Sequence, residues 1–118
     1  MYDMAFAMSL NNKADIIYKN NGYTKIGEPT EAALKVASEK LGKYDTRVEN
    51  PSSKNPQPFF DHASKTQIVG VLEFSSERKC MSTVVKGSPL NPSGNTVLLK
   101  GAPEKVIEKC VTYKNKSG

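Results

Sequence analysis

Apolar and polar positions divide the chain into short elements of changing period. Tyr2 to Leu10 is apolar at Met4, Ala5, Phe6 and Met8 and stops at Asn11-Asn12, as the tail of a helix that can begin upstream of the chain. Ile16 to Ile26 carries β-formers (Ile16, Ile17, Tyr18, then Tyr23, Thr24, Ile26) interrupted by Asn20-Asn21-Gly22. Asn-Gly between two such runs predicts a tight hairpin. Gly27 to Gly42 predicts the clearest helix. Pro29 suits its first position, where a missing N–H costs nothing, and Gly42 suits a left-handed C-terminal position. Ala33, Leu34, Ala37 and Leu41 share one face at helical spacing.

Tyr44 to Pro58 is a polar connector with Pro51, Pro56 and Pro58, so no regular element is expected there. Phe59 to Thr66 predicts a short helix behind Pro58. Ile68 to Phe74 has apolar residues on both parities, the pattern of a strand covered on both faces. Met81 to Val85 forms a second strand and Thr96 to Leu99 a third. Lys86 to Asn95, with Gly87, Pro89, Pro92 and Gly94, reads as a flexible loop between them. Pro103 restarts a helix in which Val106, Ile107, Cys110 and Val111 keep helical spacing, making Cys110 a small core residue. Tyr113 to Gly118 is polar and reads as a cut rather than a domain boundary. Helices mixed with hairpin-linked strands predict an α+β domain with a mostly antiparallel sheet.

Composition narrows the function classes. The 118 residues make one domain, long enough for a core and short for a self-sufficient enzyme. No apolar run is long enough to cross a bilayer, and Tyr2 to Leu10 lacks the basic flank of a signal peptide. The net charge of +5 allows an anionic partner, but the basic residues are scattered, so nucleic acid is not the first inference. Cys80 and Cys110 have no metal-ligand spacing and read as free thiols. His62 is the only histidine and has no assigned role. No metal site and no nucleophile–base pair is expected.

The strand set concentrates the candidate chemistry. It brings a ring (Phe74), two ammonium groups (Lys79, Lys100) and a bare glycine backbone (Gly101) to strand ends. A flat anionic ligand would use that set. A purine nucleotide needs a π-face for its base, and base–aromatic stacking contributes about 1–3 kcal/mol. It also needs an acceptor for the amino group, which Glu31 can supply, and charge for the phosphates. Glu31 is equally a partner for the positive end of its own helix. Walker and dinucleotide glycine loops are absent. The residues alone thus define a small anion-binding α+β module.

Three stretches add a resemblance. Gly27-Glu28-Pro29-Thr30-Glu31-Ala32-Ala33-Leu34, Glu73-Phe74-Ser75-Ser76-Glu77-Arg78-Lys79-Cys80-Met81-Ser82 and Lys100-Gly101-Ala102-Pro103-Glu104 resemble the signatures of the nucleotide-binding domain of P-type ATPases. Their order and approximate spacing agree with that family, over roughly Asp15 to Tyr113. The nearest likeness is to sarco/endoplasmic-reticulum-type calcium pumps. The resemblance implies that Phe74 stacks on adenine and Glu31 meets its amino edge. It implies that Lys100 lies deep beside base and ribose, Lys79 or Arg78 near the phosphates, Met81 on the apolar wall, and Gly101 where room is needed beside the ligand. Ser76 stands where the family often has an arginine that reaches the phosphates, and Cys80 replaces a usual serine.

The phosphorylated Asp-Lys-Thr-Gly-Thr motif, the Gly-Asp-Gly magnesium loop and the Thr-Gly-Glu loop are absent from the chain. By the resemblance, residues 1–118 are a nucleotide-binding fragment of a larger cation pump on the cytosolic face of endoplasmic or sarcoplasmic reticulum. It would bind ATP (Mg-ATP in the parent pump) or ADP without hydrolysing it. Its partners would be the phosphorylation and actuator domains, with no nucleic acid or direct membrane contact, and it would be a monomer. Two alternatives stand beside this: a P-type pump of another cation, and a small basic interaction or RNA-binding module without a nucleotide site.

Overall fold

In the computed structural model, which describes residues 1–118, Asn20 and Asn21 take left-handed φ angles of 52° and 60°. Helix α1 (Tyr2–Leu10) precedes them, and they join strands β1 (Asp15–Lys19) and β2 (Gly22–Ile26) through a two-residue turn closed by the pair Lys19↔Gly22. Positive φ at both central residues is the type I′ geometry that matches strand twist. The predicted hairpin forms, but its turn is Asn20-Asn21, and Gly22 already belongs to β2. Asparagine tolerates the left-handed region well enough to fill both places.

The longest helix, α2 (Pro29–Gly42), begins at proline as expected. Its buried face differs from the predicted one. Ala32, Lys35, Ser38, Glu39 and Gly42 are buried, whereas Ala33 is exposed and Leu34, Ala37 and Leu41 are half-buried. Two charged side chains set that rotation. Lys35 is 2% exposed, and its ammonium donates to the Ala14 carbonyl at 2.9 Å and sits 3.5 Å from the centre of the Phe60 ring. The Glu39 carboxylate accepts the Phe59 and Phe60 N–H groups, both at 2.9 Å, and so caps helix α3 (Pro58–Ala63). Gly42 is not left-handed. It is helical, and it is glycine because the Phe59 ring lies against it: an added Cβ would lie 2.3 Å from ring carbons.

Strands β3 (Gln67–Leu72), β4 (Cys80–Ser88) and β5 (Asn91–Gly101) form a second antiparallel sheet with β4 in the middle. The predicted loop over 86–95 is instead a hairpin. Its strands run on to the pair Ser88↔Asn91, with a register shift at left-handed Gly87. The Ser88 hydroxyl shares a hydrogen bond with Thr96 at 3.0 Å and accepts the Asn91 N–H at 3.3 Å. Pro92 is tolerated because β5 is an edge strand.

β3 ends at Leu72, short of Phe74, and it is not covered on both faces. Ile68, Val69, Val71 and Leu72 are all exposed, because β3 meets β4 along its edge and no helix or second sheet is packed over its faces. Helix α4 (Pro103–Ile107) is one turn long, so Cys110 and Val111 lie outside it and are exposed rather than in the core. The core itself is Ala5, Phe6 and Leu10 of α1, Phe59 and Ala63 of α3, Val85 of β4 and Leu98 of β5. Two antiparallel sheets flanked by helices make this an α+β fold.

Candidate nucleotide-binding cleft

The elements that carry the predicted site are tied together by two asparagine side chains. In the turn after α1, buried Asn11 donates to the carbonyls of Met81 (3.2 Å) and Leu98 (3.1 Å) and accepts from the Thr83 hydroxyl at 3.0 Å. Asn12 donates to the Glu31 carbonyl at 2.8 Å and to that of Met8 at 3.1 Å. The first turn of α2 is thereby tied to the end of α1, and the end of α1 to the middle of the β4–β5 ladder.

Glu31 projects from that first turn. One carboxylate oxygen accepts the Lys13 N–H at 2.9 Å and the other pairs with the Lys100 ammonium. Burial pushes the Glu31 carboxyl up, but the Lys100 hydrogen bond, the Lys13 N–H and the two ammonium charges outweigh it and hold it below its ordinary value. The acid is therefore ionised at neutral pH. Both of its oxygens keep lone pairs for a further donor.

Lys100 and Met81 are cross-strand partners, so their side chains share one face of the sheet. Met81 is buried and Lys100 half-buried. Beside them opens a cleft of about 760 Å³. Thr30, Glu31 and Leu34 line it from α2, Met81 from β4, Leu99, Lys100 and Gly101 from β5, and Pro103, Val106 and Ile107 from α4. Phe74 completes the lining. It lies just past β3, 61% exposed, so its ring is available to a ligand and not spent in the core.

The structure thus gathers Glu31, Phe74, Met81, Lys100 and Gly101 in one cleft. It leaves Arg78 and Lys79 out of the lining. Arg78 donates to the Glu73 carbonyl (3.1 Å) and the Ser82 hydroxyl (3.0 Å). Ser82 alternates with Met81, so Arg78 lies on the opposite sheet face, in a hollow of about 460 Å³ shared with Cys80, Lys105 and Lys109. Lys79 is exposed and holds a left-handed φ of 51°, the reversal that ends the Ser75–Lys79 turn. Its N–H donates to Ser75 and its carbonyl accepts from Ala102. Gly101 has a reason of its own to be glycine: an added Cβ would lie 2.4 Å from the Lys79 carbonyl oxygen and 2.5 Å from Cys80 Cβ.

Sequence reasoning missed the apolar part of the lining (Leu34, Leu99, Val106, Ile107). Leu34 sits three residues after Glu31, so helical spacing already put the two on one face. It also missed Asn11, Asn12 and Lys13, for which the only signal was a polar cluster closing an apolar helix. A further hollow of about 370 Å³ between α1 and the end of α2 contains none of the predicted site residues.

Comparison with known proteins agrees with these signatures. The family model described as the P-type ATPase cytoplasmic domain N matches residues 1–118. The endoplasmic reticulum calcium ATPase srcA of Aspergillus fumigatus is 35% identical over 115 residues, which is 91% of this chain. Calcium-transporting ATPase 3, endoplasmic reticulum-type, of Arabidopsis thaliana is 34% identical over 93% of the chain. Calcium-transporting ATPase 2, endoplasmic reticulum-type, of the same plant is 34% identical over 86%. The chain spans only 11%, 12% and 10% of those relatives' own lengths. With its full length matched and its three signature stretches folded around one cleft, the chain belongs to the family of P-type ATPase cytoplasmic N domains.

Proposed function

We propose that this domain binds ATP by its adenosine end in the cleft between α2 and β5, and presents the terminal phosphate to an aspartate on another domain of a cation pump. The observation that carries the reading is Phe74, an exposed ring on the wall of the same cleft as an ionised Glu31 and the Lys100 ammonium. The ring stacks on the base. Glu31 accepts from the exocyclic amine that adenine carries at C6, where guanine has a carbonyl oxygen. Met81 and Leu34 form an apolar wall, and Lys100 lies beside base and ribose. Lys79 and the solvent-facing rim take the phosphates, which carry magnesium in the parent pump. With Arg78 bonded on the far sheet face, adenosine contacts dominate, and ADP and AMP compete closely with ATP.

The domain works as a single copy facing phosphorylation and actuator domains, on the cytosolic side of an endoplasmic-reticulum-type membrane. Calcium is the proposed cargo because the relatives above are named calcium-transporting ATPases. Phosphoryl transfer of this kind rests on positioning and charge stabilisation, and this chain contributes the positioning. By itself it binds nucleotide and hydrolyses none. Calorimetric titration with ATP beside GTP tests the reading: saturable ATP binding with much weaker GTP binding supports it. No adenine-nucleotide heat from a folded sample, or oligonucleotide binding that collapses with salt, contradicts it.

A further inference from the structure

Lys13 reaches two walls of the cleft at once. Its main-chain N–H donates to Glu31 at 2.9 Å, and its ammonium pairs with the carboxylate of Glu73, the residue before Phe74. The first contact fixes Lys13 to the acid wall, and the second grips the segment that carries the ring. Both anchors are held by other bonds. Asn11 and Asn12 pin the backbone just before Lys13 through Met81, Leu98 and Glu31, and the Glu73 carbonyl accepts Arg78 at 3.1 Å. Phe74 itself follows the last ladder pair, Leu72↔Ser82, and belongs to no strand. No ladder pairing therefore dictates how far its ring stands from Glu31, and Arg78 holds only the backbone before it.

Exposed ion pairs ordinarily contribute little, because ordering two long side chains offsets the attraction. Here the side chains are 59% and 58% exposed, so the effect belongs in the geometry of the cleft and not in the stability of the fold. We propose that the Lys13–Glu73 pair is a strap that sets the gap between the Phe74 ring and the Glu31 carboxylate. Lys13 and Glu73 are then positioning residues for the flat base of a purine nucleoside. This rests on the nucleotide reading above and deepens it.

The test titrates adenosine and ADP into the 118-residue chain and into Lys13→Ala, Glu73→Ala and the charge-reversed pair Lys13→Glu with Glu73→Lys. Each single change weakens adenosine binding about two- to fivefold and ADP binding by the same factor, while thermal melts stay at the wild-type value. The reversed pair restores both affinities. Raising the salt concentration weakens adenosine binding to wild type and leaves Lys13→Ala unaffected. Unchanged adenosine affinity in the single variants overturns the strap, as does a loss confined to ADP, which would make Lys13 a charge for phosphate. Failure of the reversed pair to recover also overturns it. A folded wild-type chain that binds neither ligand overturns the nucleotide reading, and the strap with it.

Discussion

Gly101→Ala separates two reasons for a glycine at the lip of the cleft: room for a ligand, or close approach of the chain to itself. The added Cβ would lie 2.4 Å from the Lys79 carbonyl oxygen, 2.5 Å from Cys80 Cβ and 2.7 Å from Cys80 Cα. No side-chain rotation relieves contacts of that kind, so the end of β5 has to move away from β4. Gly101 does not hold a positive φ, so the cost is contact and not backbone conformation. Overpacking of this sort costs about 1–3 kcal/mol. The Lys79 carbonyl also accepts the Ala102 N–H at 3.0 Å, and weakening that bond adds about 1 kcal/mol. A total of about 2–4 kcal/mol lowers Tm by roughly 6–20 °C in a domain of this size. Circular-dichroism melts and urea unfolding without ligand read the effect directly. A ligand-free Tm within about 2 °C of wild type would refute the close-approach account and return Gly101 to a role that only a bound ligand reveals.

Glu39→Ala leaves the Phe59 and Phe60 N–H groups at the start of α3 without their acceptor and costs about 2–4 kcal/mol, read as a lower urea midpoint. Asn11→Ala removes three buried hydrogen bonds between the α1 turn and the β4–β5 ladder, and about 2–4 kcal/mol is lost by the same measurement. The Glu31 carboxyl is held below its ordinary value in the folded chain, so its ion pair contributes stability above the unfolded carboxylate pKa of about 4.3. That contribution disappears as pH falls from there through the lower folded value. Urea midpoints of wild type and Glu31→Gln therefore differ at neutral pH and converge in acid. Burial raises the Glu39 carboxyl, which gives the opposite sign, so wild type and Glu39→Gln serve as the contrasting pair.

Local chemistry explains what the sequence revealed. Asn20-Asn21 announces a left-handed turn and Pro29 a helix start because each residue's own backbone preference decides the matter. Phe74, Glu31, Met81, Lys100 and Gly101 lie in three separated stretches; residue chemistry suggested Phe74, Glu31, Lys100 and Gly101 as one ligand set, and the family signatures around them added Met81. What stayed hidden depends on partners distant in the chain. Hydrophobicity points α2's Leu34 and Leu41 inward, but Lys35 and Glu39 find Ala14, Phe60 and the start of α3 and take the buried face. Gly42 looks like a helix terminator, and only the Phe59 ring shows why it is glycine. The valines and isoleucine of β3 look like a covered strand, but a strand's neighbours are not written in its own residues. The Ser88 and Asn91 hydrogen bonds that turn an apparent loop into a hairpin are likewise invisible to composition.

If an adenine ring lies on Phe74 with Glu31 beside it, magnetisation transfer between ligand and protein protons observes the stack. With AMP bound to the 118-residue chain, adenine H2 and H8 are expected to show nuclear Overhauser contacts to the Phe74 ring and the Met81 methyl. Saturable binding whose contacts fall instead on the Arg78 and Lys105 face of the sheet, with none to Phe74, would contradict the account.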